Sequence, residues 1–280
     1  LSFSKTMLSK MALEYIDSQQ KVKRYVEHYE SKTGVILFPQ SGDNKDAMYY
    51  GNFQQNSLEV ILADASYKGR LKKVHSRRSG FPSPHNKTAC ELDSCNSSDA
   101  LLMNIFCYPK IRDRINIGID VQNLTIQGED IHFGIPIRLF KRNNQSEISP
   151  TEIDMVIGDT IVEAKLSETD FQPLNKTLFD SYESFFNLVE ERMIIDQSNQ
   201  FLPIYQLLRN ATIRRMLNCK MVVIIDDRKA NLKKYYRSFV GALKQREDRD
   251  KIFMVTWQDL VKTIEIADLK SFLKIKYGIE

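Results

Sequence analysis

The chain has 280 residues, 42% hydrophobic and 10% aromatic, which supplies enough apolar material for a sizeable core and excludes a disordered chain. A net charge of +4 and a pI near 8.7 permit an anionic partner but are too weak to demand one. Where the charge sits therefore matters more than its total.

Cys90, Cys95, Cys107 and Cys219 lie in a chain long enough not to need disulfide staples, and no charged-then-apolar leader precedes them. A reducing cytoplasm is the expected compartment, and Leu1, not being an initiator methionine, leaves room for a longer N-terminus. The longest apolar runs, such as MVVII at 221–225, are strand-sized and fall short of the ~20 residues of a spanning helix, so no membrane anchor is expected.

Residues 7–31 have helical periodicity with Gly34 beyond as a stop, which predicts one long helix. GVILFP at 34–39 predicts a short strand, whereas the apolar run in NSLEVILADAS, 56–66, is too short to separate helix from strand. From Ala65 to Cys90 no acidic residue occurs, while Lys68, Arg70, Lys72, Lys73, Arg77, Arg78 and Lys87 accumulate among glycines and prolines, which predicts a basic loop. SSDALLMNIFCYP at 97–109 offers Ser97 or Ser98 as N-cap, has Asp99 in its first turn and closes before Pro109: a buried helix.

IHFGIPIRLF at 131–140 reads as a strand, and KRNNQSEISP as a polar turn into the segment TEIDMVIGDTIVEAK, 151–165. Segments 173–195 and 203–218 are amphipathic, each with proline where a first helical turn accepts it. A buried strand KMVVIIDD, a charged helix 230–246, a strand KIFMVTW and a helical tail complete the chain. This order predicts an α/β protein with a mixed central sheet flanked by helices.

Gly158-Asp159 suits a two-residue hairpin turn, since glycine enters positive φ freely and aspartate tolerates it. Counting back from that turn pairs Ile157 with Thr160, Val156 with Ile161, Met155 with Val162, Asp154 with Glu163 and Glu152 with Lys165. Ile153, Met155, Ile157, Val162 and Ala164 then share an uncharged face, and Glu152, Asp154, Glu163 and Lys165 share the other. Two carboxylate side chains directly opposed, with Cβ atoms about 4.5–5.5 Å apart, repel, so something offsets them. Lys165 is one candidate, although its register favours Glu152; a hard divalent cation such as Mg²⁺, helped by a backbone carbonyl, is the stronger one. A solvated charge ladder and a shared proton remain as bland alternatives.

Asp154, followed after eight residues by Glu163-Ala164-Lys165, resembles the signature of the PD-(D/E)XK nuclease superfamily, with Ile153 in place of the proline that names the motif. The resemblance spans roughly 97–257 by element order, and SSDALLMNIF, TEID, EAK, YQLLRN and the strand ending in TW are also similar to bacterial restriction-endonuclease-like proteins. It implies a restriction-endonuclease-like core over 97–280, with 1–96 as an N-terminal helical and basic region. It implies a cytoplasmic, metal-dependent DNA nuclease of restriction or defence type, with Asp154, Glu163 and the Ala164 carbonyl holding Mg²⁺ or Mn²⁺. Lys165 would orient water and stabilise phosphate charge, Glu152 would tether Lys165, and Gln172 sits where some members carry a glutamine near the metal. Double-strand cutting commonly needs two active sites, which makes a homodimer an expectation. The alternative is a nucleic-acid-binding or protein-interaction module of this fold without cleavage.

The remaining candidates are weaker. The basic segment, including Lys72, Lys73, Arg77 and Arg78, could meet phosphates, and Gln206, Arg209 and Asn210 on the polar side of helix 203–218 could line a nucleic-acid cleft; solvated surfaces explain both as readily. His75, His85, Cys90 and Cys95 have loose zinc-like spacing without a second cysteine pair, so ordinary surface or core residues are the simpler reading. No Gly-rich phosphate loop, G-x-S-x-G elbow or dinucleotide fingerprint occurs.

Overall fold

A computed structural model of the chain describes residues 3–18, 29–30, 36–37, 52–73, 90–112, 130–141 and 144–280. In chain order these form α1 (Lys5–Ser18), β1 (Tyr29–Glu30), β2 (Ile36–Leu37), α2 (Gln55–Ala63), α3 (Ala65–Arg70), α4 (Ser98–Phe106) and α5 (Pro109–Arg112). The central strands β3 (Ile131–Lys141), β4 (Asn144–Ile157) and β5 (Thr160–Ala164) follow, then α6 (Lys176–Asp180), α7 (Glu183–Leu188) and α8 (Tyr205–Leu217). β6 (Lys220–Ile225), α9 (Ala230–Ala242), α10 (Arg246–Asp250), β7 (Ile252–Thr256), α11 (Trp257–Lys262) and α12 (Ala267–Tyr277) end the chain. Among the described residues no helix is long and apolar enough to cross a membrane.

By packing, the chain divides into two compact units, Leu1–Ile117 with Gln258–Glu280, and Gly118–Trp257. In the first, α1 packs on α12, where Tyr15 meets Phe272 edge to face at 5.1 Å between ring centroids. α4 lies in this unit, capped by Ser97 and buried along its length. Its Asn104 donates to the carbonyls of Asn52 and Ala100 and accepts the Gln54 N–H at 2.7 Å, which fixes the start of α2. Gln54 then caps α2 through its side-chain oxygen, so the undecided segment 56–66 is helical.

Two expectations fail in this unit. The helix over 7–31 stops being one continuous element, because Tyr29 and Glu30 pair antiparallel with Leu37 and Ile36; strand pairing overrides the helical periodicity there, and 19–28 lie outside the described residues. The basic loop opens as a helix, α3, because Asp64, just upstream of the cation run, accepts the N–H groups of Ser66 and Tyr67.

The second unit is built on a five-stranded sheet in the order β3-β4-β5-β6-β7, antiparallel through β5 and parallel from β5 to β7. The hairpin has the expected turn, with Gly158 at φ 52°, and the expected register as far as Ile157–Thr160, Val156–Ile161 and Met155–Val162; the expected Asp154–Glu163 and Glu152–Lys165 pairs are not part of the β4–β5 ladder, which ends at Met155–Val162. β5 and nearly all of β6 are buried, as central strands covered by helices must be. Ile161, Met221, Val223 and Ile225 share one core with Phe179, Phe185, Leu207, Leu208 and Phe239 from the helices.

The expected turn over 141–150 is largely strand, since β4 starts at Asn144 and pairs with β3 through Phe140–Ile148 and, past a register shift after Phe140, Lys141–Asn144. The helix expected over 173–195 breaks into α6, α7 and a 3₁₀ turn. The break falls at Ser181–Tyr182, where Tyr182 is buried against Phe185 at 4.7 Å between rings, an inward packing that takes precedence over helical continuity. The helix expected over 230–246 ends at Ala242, where Leu243 turns extended and bridges to Val189.

Candidate functional site

β5 delivers Glu163, Ala164 and Lys165 at the carboxyl end of a strand that begins the parallel half of the sheet, the edge at which open α/β sheets bind ligands. Beyond the Met155–Val162 pair, the Asp154 carboxylate accepts the Ala164 N–H at 2.7 Å, so a side chain takes the place of a ladder partner. The Lys165 N–H donates to the Ile224 carbonyl at 2.8 Å, and its carbonyl accepts from the buried Trp257 Nε1 at 2.9 Å. The backbone of the motif is thereby clamped on both sides.

Glu163 is fully buried and Lys165 only 6% exposed. The Lys165 ammonium donates to Glu163 Oε1 at 2.5 Å, where the register reading had paired it with Glu152. The two side chains are two residues apart on one face of β5, and a buried carboxylate needs the nearest available cation. Glu152 contributes through its backbone carbonyl, which accepts from Arg209 Nη2 at 3.3 Å. Burial works against the Lys165 charge, but the carboxylates of Glu163, Asp154 and Glu168 outweigh it and hold the ammonium above the usual lysine range. Lys165 is thus a fixed cation, not a proton acceptor, at neutral pH.

α8 completes the arrangement. Asn210 is buried and its Nδ2 donates to Glu163 Oε2 at 2.5 Å, while Arg209 Nε donates to Asn210 Oδ1 at 3.2 Å. The expectation that Arg209 and Asn210 line an open cleft is corrected: both are buried, because the charged end of β5 requires donors from the helix packed over it. Gln206 is half-buried, and its backbone N–H donates to the Phe171 carbonyl. Gln172 is exposed at φ 69°, with its backbone N–H on Asp170 Oδ1 and its carbonyl accepting from Tyr205.

The other candidates lie in the first unit. Lys72 is exposed just past α3, Lys73 is paired with Glu91 at 2.7 Å, and Arg77, Arg78, His75 and His85 lie outside the described residues. Cys95 is buried within 3.5 Å of the Ser9 hydroxyl, and burial together with Asp93 pushes the Cys90 thiol up to about 11, which disfavours the thiolate a zinc site needs.

Among the described residues no group of three or more His, Cys, Asp or Glu is arranged to hold a metal. The set at the end of β5 is smaller: two carboxylates and the Ala164 carbonyl. These oxygen donors are of the kind Mg²⁺ takes, since it binds through one or two carboxylates and keeps several waters. The hydrogen bonds already made do not exhaust them, since each carboxylate oxygen carries two lone pairs.

Three contributors escaped the sequence reading: Asn210 as a partner of Glu163, Trp257 on the Lys165 carbonyl, and Glu168, whose carboxylate accepts the Leu166 N–H at 2.8 Å and adds to the field on Lys165. Trp257 had a signal, as the single tryptophan at the carboxyl end of a strand parallel to β5's neighbour. Asn210 had its place in YQLLRN and on the polar side of its helix, which pointed outward to a cleft and not inward to Glu163, and Glu168 had none beyond its residue type.

The mixed sheet flanked by helices, with Asp154 and Glu163-Ala164-Lys165 on adjacent strands, has the restriction-endonuclease-like fold. More particularly, a family model described as "Restriction Endonuclease associating with ARP" matches residues 23–278, and the chain belongs to that family. No curated protein and no solved structure matches the chain.

Proposed function

We propose that the chain is a metal-dependent nuclease that hydrolyses DNA phosphodiester bonds, an endonuclease of restriction or defence type. The observation that carries this reading is a lysine buried against Glu163 and kept charged, one residue beyond a backbone amide held by Asp154, on a strand end where ligands enter such sheets. Asp154, Glu163 and the Ala164 carbonyl would hold Mg²⁺ or Mn²⁺, which when bound polarises the phosphate and makes an attacking water more acidic.

The protein's own groups do the remainder. Lys165 brings a preformed positive charge to the phosphate oxygens, where charge develops as the bond to the leaving oxygen breaks. Because its ammonium is held above the usual range, Lys165 donates and orients; it does not accept the water's proton. The buried setting strengthens that interaction by excluding bulk water.

One observation favours a second reading, a binding module of the same fold without cleavage: both Glu163 oxygens already have protein donors, as in a closed structural ion pair. Titration of Mg²⁺ and Mn²⁺ into the wild type and Asp154→Ala, with plasmid and single-stranded DNA cleavage alongside, separates the two. The nuclease predicts metal binding lost in the variant and metal-dependent cutting by the wild type. Neither binding nor cutting by a folded wild type would leave the module.

A further inference from the structure

Glu163 is held from two directions, and the second donor is a neutral amide from a different element, α8. Asn210 Nδ2 lies 2.5 Å from Oε2 while Lys165 Nζ lies 2.5 Å from Oε1. One donor alone would leave the carboxylate able to swing about its last bond. Two donors on separate oxygens remove that freedom.

The amide is itself oriented. Arg209 is donor-only, so the Asn210 oxygen must face its Nε and the Asn210 nitrogen is left to face Glu163. Arg209 is fixed in turn by the Glu152 carbonyl at 3.3 Å and lies over the Tyr205 ring, 6.0 Å from its centroid. A continuous relay thus runs from the β4 backbone through Arg209 and Asn210 to Glu163 and Lys165, tying both carboxylate-bearing strands to α8.

We propose that Asn210 is the positioning residue of this site: it sets the rotation of the Glu163 carboxylate, and Arg209 holds the amide that does so. A merely structural Asn210 would serve to satisfy a buried polar pair and hold α8 on the sheet. The kinetic consequence rests on the nuclease reading; the positioning does not.

The test uses the full chain with Asn210→Ala, Asn210→Ser and Asn210→Asp, each checked for a native melting transition. Asn210→Ala lowers kcat for DNA cleavage by about 10–100-fold with KM nearly unchanged, because second-shell losses act on the geometry of the reacting groups. Asn210→Ser, which restores a donor, recovers part of that loss. Asn210→Asp, which sets an acceptor where Glu163 needs a donor, lowers kcat at least as far as Asn210→Ala. Independently of catalysis, the ¹⁵N signal of the Lys165 ammonium, sharp when Glu163 is fixed, broadens in Asn210→Ala and sharpens again in Asn210→Ser.

An unchanged kcat and ammonium signal in folded Asn210→Ala overturns the proposal. If Asn210→Ala does not fold, kcat of Asn210→Asp and the ammonium signal of Asn210→Ser decide in the same way. If the wild type cuts no DNA with either metal, the nuclease reading fails, and the ammonium signal alone still confirms or overturns the positioning.

Discussion

Each of the two units buries a lysine, and the two lysines behave in opposite ways. Lys165, in the sheet unit, is surrounded by the carboxylates of Glu163, Asp154 and Glu168, and its ammonium is held above the usual range despite burial. Lys276, on α12 in the other unit, is fully buried and donates to Asn52 Oδ1 at 2.6 Å and the Tyr277 hydroxyl at 2.5 Å, both neutral. Burial pulls it down to about 7, against Cys95, which acts the other way. Burial is the same; the charge of the partners decides which protonation state survives.

The largest effect is expected where the pair is broken from one side. Lys165→Met leaves Glu163 buried with Asn210 as its one remaining partner of the two, and costs about 3–5 kcal/mol, the usual penalty for orphaning a buried charge. Under the nuclease reading it also abolishes cleavage. The double variant Lys165→Met/Glu163→Gln regains most of the stability and none of the activity. Denaturant titration and plasmid cleavage on the same samples read both outcomes, and a stable, active Lys165→Met would dissolve the contrast between the lysines.

Lys276→Met goes the other way. At pH 7 it removes an amine whose charged form is disfavoured, so stability of its unit rises by on the order of 1 kcal/mol at or below neutral pH. The pH dependence follows from the same group. Its folded pKa of about 7 lies below the unfolded 10.5, so between these values the unfolded chain binds the extra proton, and stability increases as pH rises from about 7 to 10.5. Asp93 has the opposite sign: burial raises it from 3.8 to about 7 against the Cys90 N–H, so stability falls as pH rises across that window. This unit therefore has a stability minimum near pH 7. Melting temperatures from pH 5 to 9, below the range where the raised Cys90 thiol opposes the rise, should trace it, and Lys276→Met should flatten only the alkaline side. In the sheet unit, the Lys165 contribution is complete below 10.5 and declines only above it, so no such minimum is expected there.

A smaller effect tests the hairpin that brings the carboxylates together. Gly158 sits at φ 52°, where a Cβ meets the carbonyl, so Gly158→Ala costs about 1 kcal/mol by thermal unfolding. Cleavage should persist, because the register is fixed by burial on both sides of β5 as well as by the turn.

How much of this was readable in advance differs between the units for a physical reason. The hairpin, its register and the placement of Asp154 and Glu163-Ala164-Lys165 follow from period-two alternation around a turn, which is local chemistry. Asn210 and Glu163 are 47 positions apart, and nothing in YQLLRN says which side of that helix faces inward, since its polar residues look like a solvent face until the charged strand end beneath it is known. The same holds for Lys276, which meets Asn52 across 224 positions and reads in sequence as one more surface lysine of a helical tail. Buried polar groups defeat periodicity because it assigns them outward by default. Residues 65–70 failed for the converse reason: the cap that made them helical, Asp64, lay one position outside the window.

The smallest expected effect concerns the cations beyond α3. Lys72 is exposed, whereas Lys73 is already engaged by Glu91 at 2.7 Å. An exposed lysine that meets a phosphate displaces a counterion, so under the nuclease reading, with this segment on the nucleic-acid surface, Lys72→Ala should weaken DNA binding uniformly across sequences and reduce the slope of log affinity against log salt by about 1. Lys73→Ala should change the slope less, because Glu91 already neutralises part of its charge at the surface. Filter binding at several salt concentrations reads both slopes. Equal slopes for wild type and Lys72→Ala would remove this segment from the nucleic-acid surface without touching the site on β5, whose cation is buried and fixed by its neighbours instead of by counterions.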